Sequence, residues 1–187
     1  MRRYALSMMC LVLAGGIMAG CGGAYKNTTS GKKQPEWIDR GGGAFNDEGD
    51  KRVLYGVGIL SGVRNVGLAR QAVDNRAIAD IGKTIQVMST QLMRDYASSI
   101  NAGGEVSDEE QLIENSIKTF AQVSLSGVTI VNHWTDHETK TYYALAKLDM
   151  DAFKNLLEKS NKLSEDVKAH IRKNAEAAFD RMAQMEK

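Results

Sequence analysis

Between Arg52 and Leu60 the chain alternates Val53, Tyr55, Val57 and Ile59 on one face of a strand with Gly56 and Gly58 on the other, the two-residue period of a pleated segment. Two glycines on one strand face admit a neighbouring element at backbone distance, which a face bearing side chains does not. The partner this predicts is a helix from about Val66 to Ile81, in which Ala69, Val73 and Ala77 recur every four residues beside Leu68, Ala72 and Ile81. Small residues on both surfaces call for a short helix-to-sheet distance, so strand 52–60 and helix 66–81 form the expected nucleus.

Around it, Pro35-Glu36-Trp37-Ile38 opens the domain with an extended approach and a first apolar anchor, and residues 39–50 read as a Gly-rich loop carrying Asp47, Glu48 and Asp50. Gly82 is expected to end or weaken the helix. Over Lys83 to Tyr96 two patterns overlap: Thr84, Ile85, Val87 and Thr90 favour a strand, while Ile85, Met88, Leu92 and Tyr96 continue a helical stripe. The β-branched content leads us to expect a strand. A loop over 100–106 precedes Ser107 and Glu110, the spacing of a capping box, and a helix with Leu112, Ile113, Ile117 and Phe120.

Leu125 to Thr135 and Thr141 to Leu148 read as a hairpin about a polar turn at Asp136 to Lys140. Asp149 and Asp151 can cap a helix through Phe153, Leu156 and Leu157 to about Lys159. A final helix from Ser164 aligns Val167, Ile171, Ala175, Ala178, Met182 and Met185 in one stripe. That stripe has two uses open to it: packing on its own domain, or a self-association seam through Val167, Ile171, Ala178, Met182 and Met185. The order of elements with a late hairpin predicts an α+β fold, a small mainly antiparallel sheet with helices on one face plus a C-terminal amphipathic helix.

The N-terminus reads as an address. Arg2 and Arg3 precede a charge-free stretch from Tyr4 to Gly20, too short and too rich in glycine for a spanning helix. It ends in Met18-Ala19-Gly20-Cys21, close to a lipobox, in which Cys21 receives the lipid. Cys10, the only other cysteine, lies in the segment that would be removed, so the mature domain is expected to hold by packing without a disulfide. Acyl chains on Cys21 give membrane attachment at about 0.8 kcal/mol per buried CH₂. Gly22 rather than Asp after the cysteine favours the outer membrane, on its periplasmic or surface side. The expected layout is a signal peptide over 1–20, lipidated Cys21 with a flexible tether over 21–34, a domain over 35–160 and the helix over 161–187.

Charge excludes one class of partner. With 24 Lys and Arg against 23 Asp and Glu, the chain lacks the cationic excess by which nucleic-acid binders displace counterions. His133, Asp136 and His137, with Glu138 beside them, have metal-ligand side chains, but three or four ligands must converge at about 2 Å and a solvated hairpin accounts for them better. Gly56, Gly58 and Gly62 miss the GxGxxG spacing. Glu109 and Glu110 fit a helix N-terminus rather than acid–base chemistry. Trp37, Trp134, Tyr142 and Tyr143 read as core or sheet-face residues. The expectation is therefore a protein with no catalytic residues, cofactor or metal. Lys187 at the end of the chain and Asn161-Lys162-Leu163-Ser164 are faint echoes of peptidoglycan attachment and binding, which keeps the cell wall open as a partner.

Taken in order, the lipobox ending at Cys21, Pro35-Glu36-Trp37-Ile38, Gly56-Val57-Gly58, Ala69-Arg70 leading to Ala77-Ile78-Ala79, and Leu125-Ser126-Gly127 to Trp134 with Tyr142-Tyr143-Ala144-Leu145-Ala146 resemble the LPP-twenty lipoproteins over roughly residues 17–150. That family of exported bacterial lipoproteins is related to the flagellar lipoprotein FlgP. The resemblance implies anchoring and envelope architecture rather than catalysis, with protein partners or self-association and, in some relatives, rings around the flagellar motor. The final helix lies outside it.

Overall fold

Gly56 and Gly58 meet the backbone of a helix, as their bare face requires. In the computed structural model, which describes residues 26–27, 33–47, 51–100, 107–159, 161 and 163–185, strand β3 (Lys51–Ser61) lies beneath helix α2 (Val66–Ile100). A Cβ on Gly58 would stand 2.7 Å from Ala77 N and overlap the Val73 carbonyl; one on Gly56 would stand 2.9 Å from Ile81 N and overlap the Ala77 carbonyl. The other elements are β1 (Lys26–Asn27), α1 (Glu36–Arg40), β2 (Gly43–Asp47), α3 (Ser107–Leu125), β4 (Thr129–Asp136), β5 (Thr141–Asp149), α4 (Met150–Lys159) and α5 (Glu165–Met185).

The sheet order is β1-β4-β5-β3-β2, antiparallel throughout except that β1 runs parallel to β4. The expected hairpin is present as β4 and β5, with Trp134 opposite Tyr143 and a register shift between Ile130 and Asn132. The α+β class is as the sequence predicts, with the four long helices on one side. Leu54, Ala144, Ala146 and Leu148 from that side of the sheet join Val73, Ala77, Ile81, Phe120, Phe153 and Phe179 in one core.

Four expectations give way. Gly82 does not end α2, and residues 83–96 are helix rather than strand. Ile85, Met88, Leu92 and Met93 are all 0% exposed. Helix preferences differ by only about 0.7 kcal/mol per ordinary residue, whereas burying each such side chain contributes about 1.5–3 kcal/mol, so the helical stripe outweighs the β-branched residues. Gly82 sits under Leu125 of α3, whose Cδ2 would lie 3.6 Å from an added Cβ. At 35 residues, α2 is about 52 Å long, and its second half forms a helical layer with α3 and α5.

The Gly-rich loop expected at 39–50 contains β2, which pairs with β3 from Gly43 opposite Tyr55 to Asp47 opposite Lys51. Only Ala44 and Phe45 are apolar there, too few to show a period. The edge of β3 supplies the hydrogen bonds, Ala44 enters the core at 1% exposure, and Phe45 packs on Tyr55 with ring centroids 6.1 Å apart. The tether expected over 21–34 is interrupted at Lys26 and Asn27, whose backbones pair with Asn132 and His133. The final helix is no separate unit: Val167, Ile171, Ala178 and Met182 are buried in the shared core with Ala175 and Phe179, and Met185 alone of that stripe stays exposed. Of the two uses open to this stripe, these residues take packing on their own domain, because the second half of α2 offers α5 an apolar surface that a separate strand at 83–96 does not.

On the opposite side of the sheet, Val53, Tyr55 and Leu145 form a smaller cluster with Trp37, Phe45, Val57 and Val131 packed against it. Arg40 of α1 lies over the Phe45 and Tyr55 rings, 4.4 and 4.9 Å from their centroids, a geometry in which the ring face attracts the cation.

Two glycines separate close packing from mere tolerance. Gly58→Ala is expected to destabilise the protein by about 1–3 kcal/mol or more, because helix and strand backbones must part. Gly82→Ala, in a helix interior with room for a methyl group, is expected to raise stability by about 0.4–1 kcal/mol. Urea unfolding of the two variants beside the parent measures both.

Candidate functional site

The residues singled out by the sequence do not converge. Met18, Ala19, Gly20 and Cys21 lie outside the described residues, as do Lys187 and the side chains of Glu109 and Glu110. Gly56 and Gly58 serve helix packing, and Gly62, at φ 80° with nothing within 4 Å of a built Cβ, turns the chain after β3.

His133, Asp136 and His137 separate. His133 is buried beneath α2, where its Nε2 meets the Asp74 carboxylate. Asp136 instead closes the hairpin turn: it accepts from Glu138 N at 2.9 Å and from Thr139 Oγ1 at 2.6 Å, and the Thr139 hydroxyl holds its carboxyl below the usual range. His137 and Glu138 are exposed in that turn. Among the described residues no three of His, Cys, Asp and Glu come close enough together to hold a metal ion. The His133–Asp74 pair therefore ties α2 to β4. A second histidine does the same for the helical layer: His170 Nε2–H donates to the Leu92 carbonyl at 3.1 Å, with Tyr96 edge-on at 5.1 Å.

Trp37 and Trp134 lie on the sheet side away from the long helices. Trp134 packs against Tyr143 with the rings tilted and their centroids 5.3 Å apart, while Tyr142 packs against the main core. The indole N–H groups of both tryptophans are buried with no acceptor among the described residues.

Charge collects where β3 begins, β5 ends and α4 starts. Lys51, Arg52, Lys147 and Lys154 share an open groove of about 540 Å³ with Asp149, Asp151 and Glu176. Arg52 grips Asp180 through Nε at 2.8 Å and Nη2 at 3.0 Å and reaches Glu176 at 3.4 Å. Lys154 also pairs with Glu176, and Lys147 lies 3.1 Å from Asp149. The Lys154 hydrogen bond holds the Glu176 carboxyl low, and the Arg52 hydrogen bond does so for Asp180. Sequence reading missed this cluster and the Asp74 partner of His133. Arg52 and Asp180 are 128 residues apart and His133 and Asp74 are 59, so only the flank of Asp74 beside the Val73 and Ala77 stripe signalled that it faces the sheet.

Among the described residues no helix is long and apolar enough to cross a membrane. No protein-family model and no curated protein matches the sequence.

The fork on Arg52 gives a signed pH effect. Both acids have depressed folded-state values, so their stabilisation is complete above the ordinary carboxylate range and fades as pH falls below about 5. Arg52→Gln is expected to cost about 1 kcal/mol at pH 7, the upper end for a half-exposed pair, with the gap to the parent closing toward pH 2 in thermal melts. Asp74→Ala, which takes a carboxylate acceptor from buried His133, is expected to lower stability by about 1–3 kcal/mol in urea unfolding.

Proposed function

We propose that this chain is a lipid-anchored outer-membrane lipoprotein with a structural or assembly role in the cell envelope, working through protein partners or further copies of itself rather than by catalysis. The observation that carries the reading is Arg2-Arg3, the charge-free stretch to Gly20, and Met18-Ala19-Gly20-Cys21 at its end. Kinship with the LPP-twenty lipoproteins belongs to the same proposal and rests on the ordered motifs between Met18 and Ala146. It carries with it a role at the flagellum as the particular assembly to examine.

The architecture is in keeping with a binding or scaffolding domain. The histidine, tryptophan and charged clusters each tie one element to another, and the buried stripe of α5 leaves association to other surfaces. Contact with peptidoglycan is the second reading, supported by Lys187 and Asn161-Lys162-Leu163-Ser164 alone.

The anchor is tested by fractionation. In the parent, mass spectrometry is expected to find an acylated N-terminal peptide beginning at Cys21, with the protein in the detergent-soluble membrane fraction. Cys21→Ser is expected to move nearly all of it to the soluble fraction with its unfolding transition unchanged. An unmodified Cys21, or membrane retention of the serine variant, overturns the reading.

A further inference from the structure

The pairing of Lys26 and Asn27 with the middle of β4 bears on how an anchored domain would sit. Lys26 lies five positions after Cys21, a reach of at most about 18 Å fully extended. Were the first attachment at Pro35, fourteen residues would allow about 50 Å. A compact globule of this many residues is about 40 Å across, and α2 extends the long axis of this domain to about 52 Å. The shorter leash is well under both lengths, whereas the longer one exceeds the smaller and nearly equals the larger, so β1 decides whether the domain can turn above its anchor or keeps one side down.

The side it keeps down is defined by sheet order. β1 lies beyond β4 at one edge, with β2 at the other. We propose that the β4 edge of the sheet rests on the lipid headgroups of the membrane holding the acyl chains of Cys21, with β1 as the clasp that sets this orientation. The inference rests on the reading of Cys21 as the anchor.

A second observation concerns the exposed strand edges. Where β3 runs past the end of β2, α2 closes its free edge: Asp80 Oδ2 accepts from Val57 N at 3.1 Å and the Arg76 guanidinium donates to the Ile59 carbonyl. Such side-chain blocks keep an open edge from pairing with another chain. β4 has eight residues, Thr129 to Asp136, rich in β-branched residues and without Lys or Pro. Its outer edge pairs with two residues of β1 and with no other strand among the described residues. A headgroup layer supplies hydrogen-bonding groups to that edge and excludes competing strands, doing for β4 what Asp80 and Arg76 do for β3.

The test uses the full lipoprotein in phosphatidylethanolamine–phosphatidylglycerol vesicles carrying a headgroup-attached energy-transfer acceptor. Acylated Cys21 has no free thiol, so a donor dye is placed through Thr129→Cys on β4 or Asn46→Cys on β2, both exposed positions. Transfer from position 129 is expected to be at least twofold higher than from position 46. Inserting eight Gly and Ser residues after Gly23 leaves β1 intact and lengthens the leash, and is expected to abolish that difference. Lys26→Pro with Asn27→Pro, which unclasps β1 at unchanged length, is expected to abolish it as well.

Equal transfer from both positions in the membrane-bound parent overturns the inference, as does a difference that survives both changes. Failure of the anchor itself reads differently: the parent would not float with the vesicles and its N-terminal peptide would carry no lipid.

Discussion

The contact of α2 with the bare face of β3 sets the geometry of the remaining molecule. With no Cβ at Gly56 and Gly58, the helix backbone at Val73, Ala77 and Ile81 comes down onto the strand itself. This closeness lets Asp80 and Arg76 reach past the helix to the β3 backbone, and lets Asp74 reach buried His133 on β4. It also fixes the line along which α2 continues past the sheet, where Ile85, Met88 and Leu92 become the floor for α3 and α5. A wider separation would break these polar links and leave voids along the core.

Polar groups in this protein act mainly as ties between distant segments. Arg52 at the start of β3 holds Asp180 near the end of α5, His170 joins α5 to a carbonyl of α2, and Asp74 of α2 meets His133 of β4. Each tie joins elements already brought together by apolar burial. The apolar stripes set which face of each helix is inward, and the ties fix contacts at their flanks. The final helix illustrates the division: its buried stripe provides the adhesion, and Asp180 and Glu176 on its flank set its rotation against Arg52.

Particular residues show how far pattern reading carries. Strand 52–60, the helix beginning near Val66, the hairpin about Asp136 to Lys140 and both late helices were legible because each has a clear two-residue or three-to-four-residue period with turn or capping residues at its ends. β2 was not, because Ala44 and Phe45 give no period and its stability comes from a neighbour. Residues 83–96 carried two valid periods, and the sequence holds no local term that ranks them. Lys26 and Asn27 have no strand character at all and pair because β4 offers an edge. For the candidate sites, the composition of the His133 to Glu138 cluster was visible but its geometry was not, since adjacent residues in a strand and turn point to different surroundings.

Local sequence by itself determined the α+β class, the glycine-faced strand and the small-residue helix made for it, because periodicity and side-chain size act within one segment. It also carries the N-terminal pattern on which the anchoring proposal rests, whose residues are read in order along the chain. Only the tertiary structure decided that α2 runs unbroken through Gly82, that the stripe of α5 is buried within the chain, and that His133 is paired with Asp74. Those outcomes depend on which apolar surfaces and charges from remote segments come within reach of one another, and burial energies of a few kcal/mol per side chain outweigh local preferences of a few tenths.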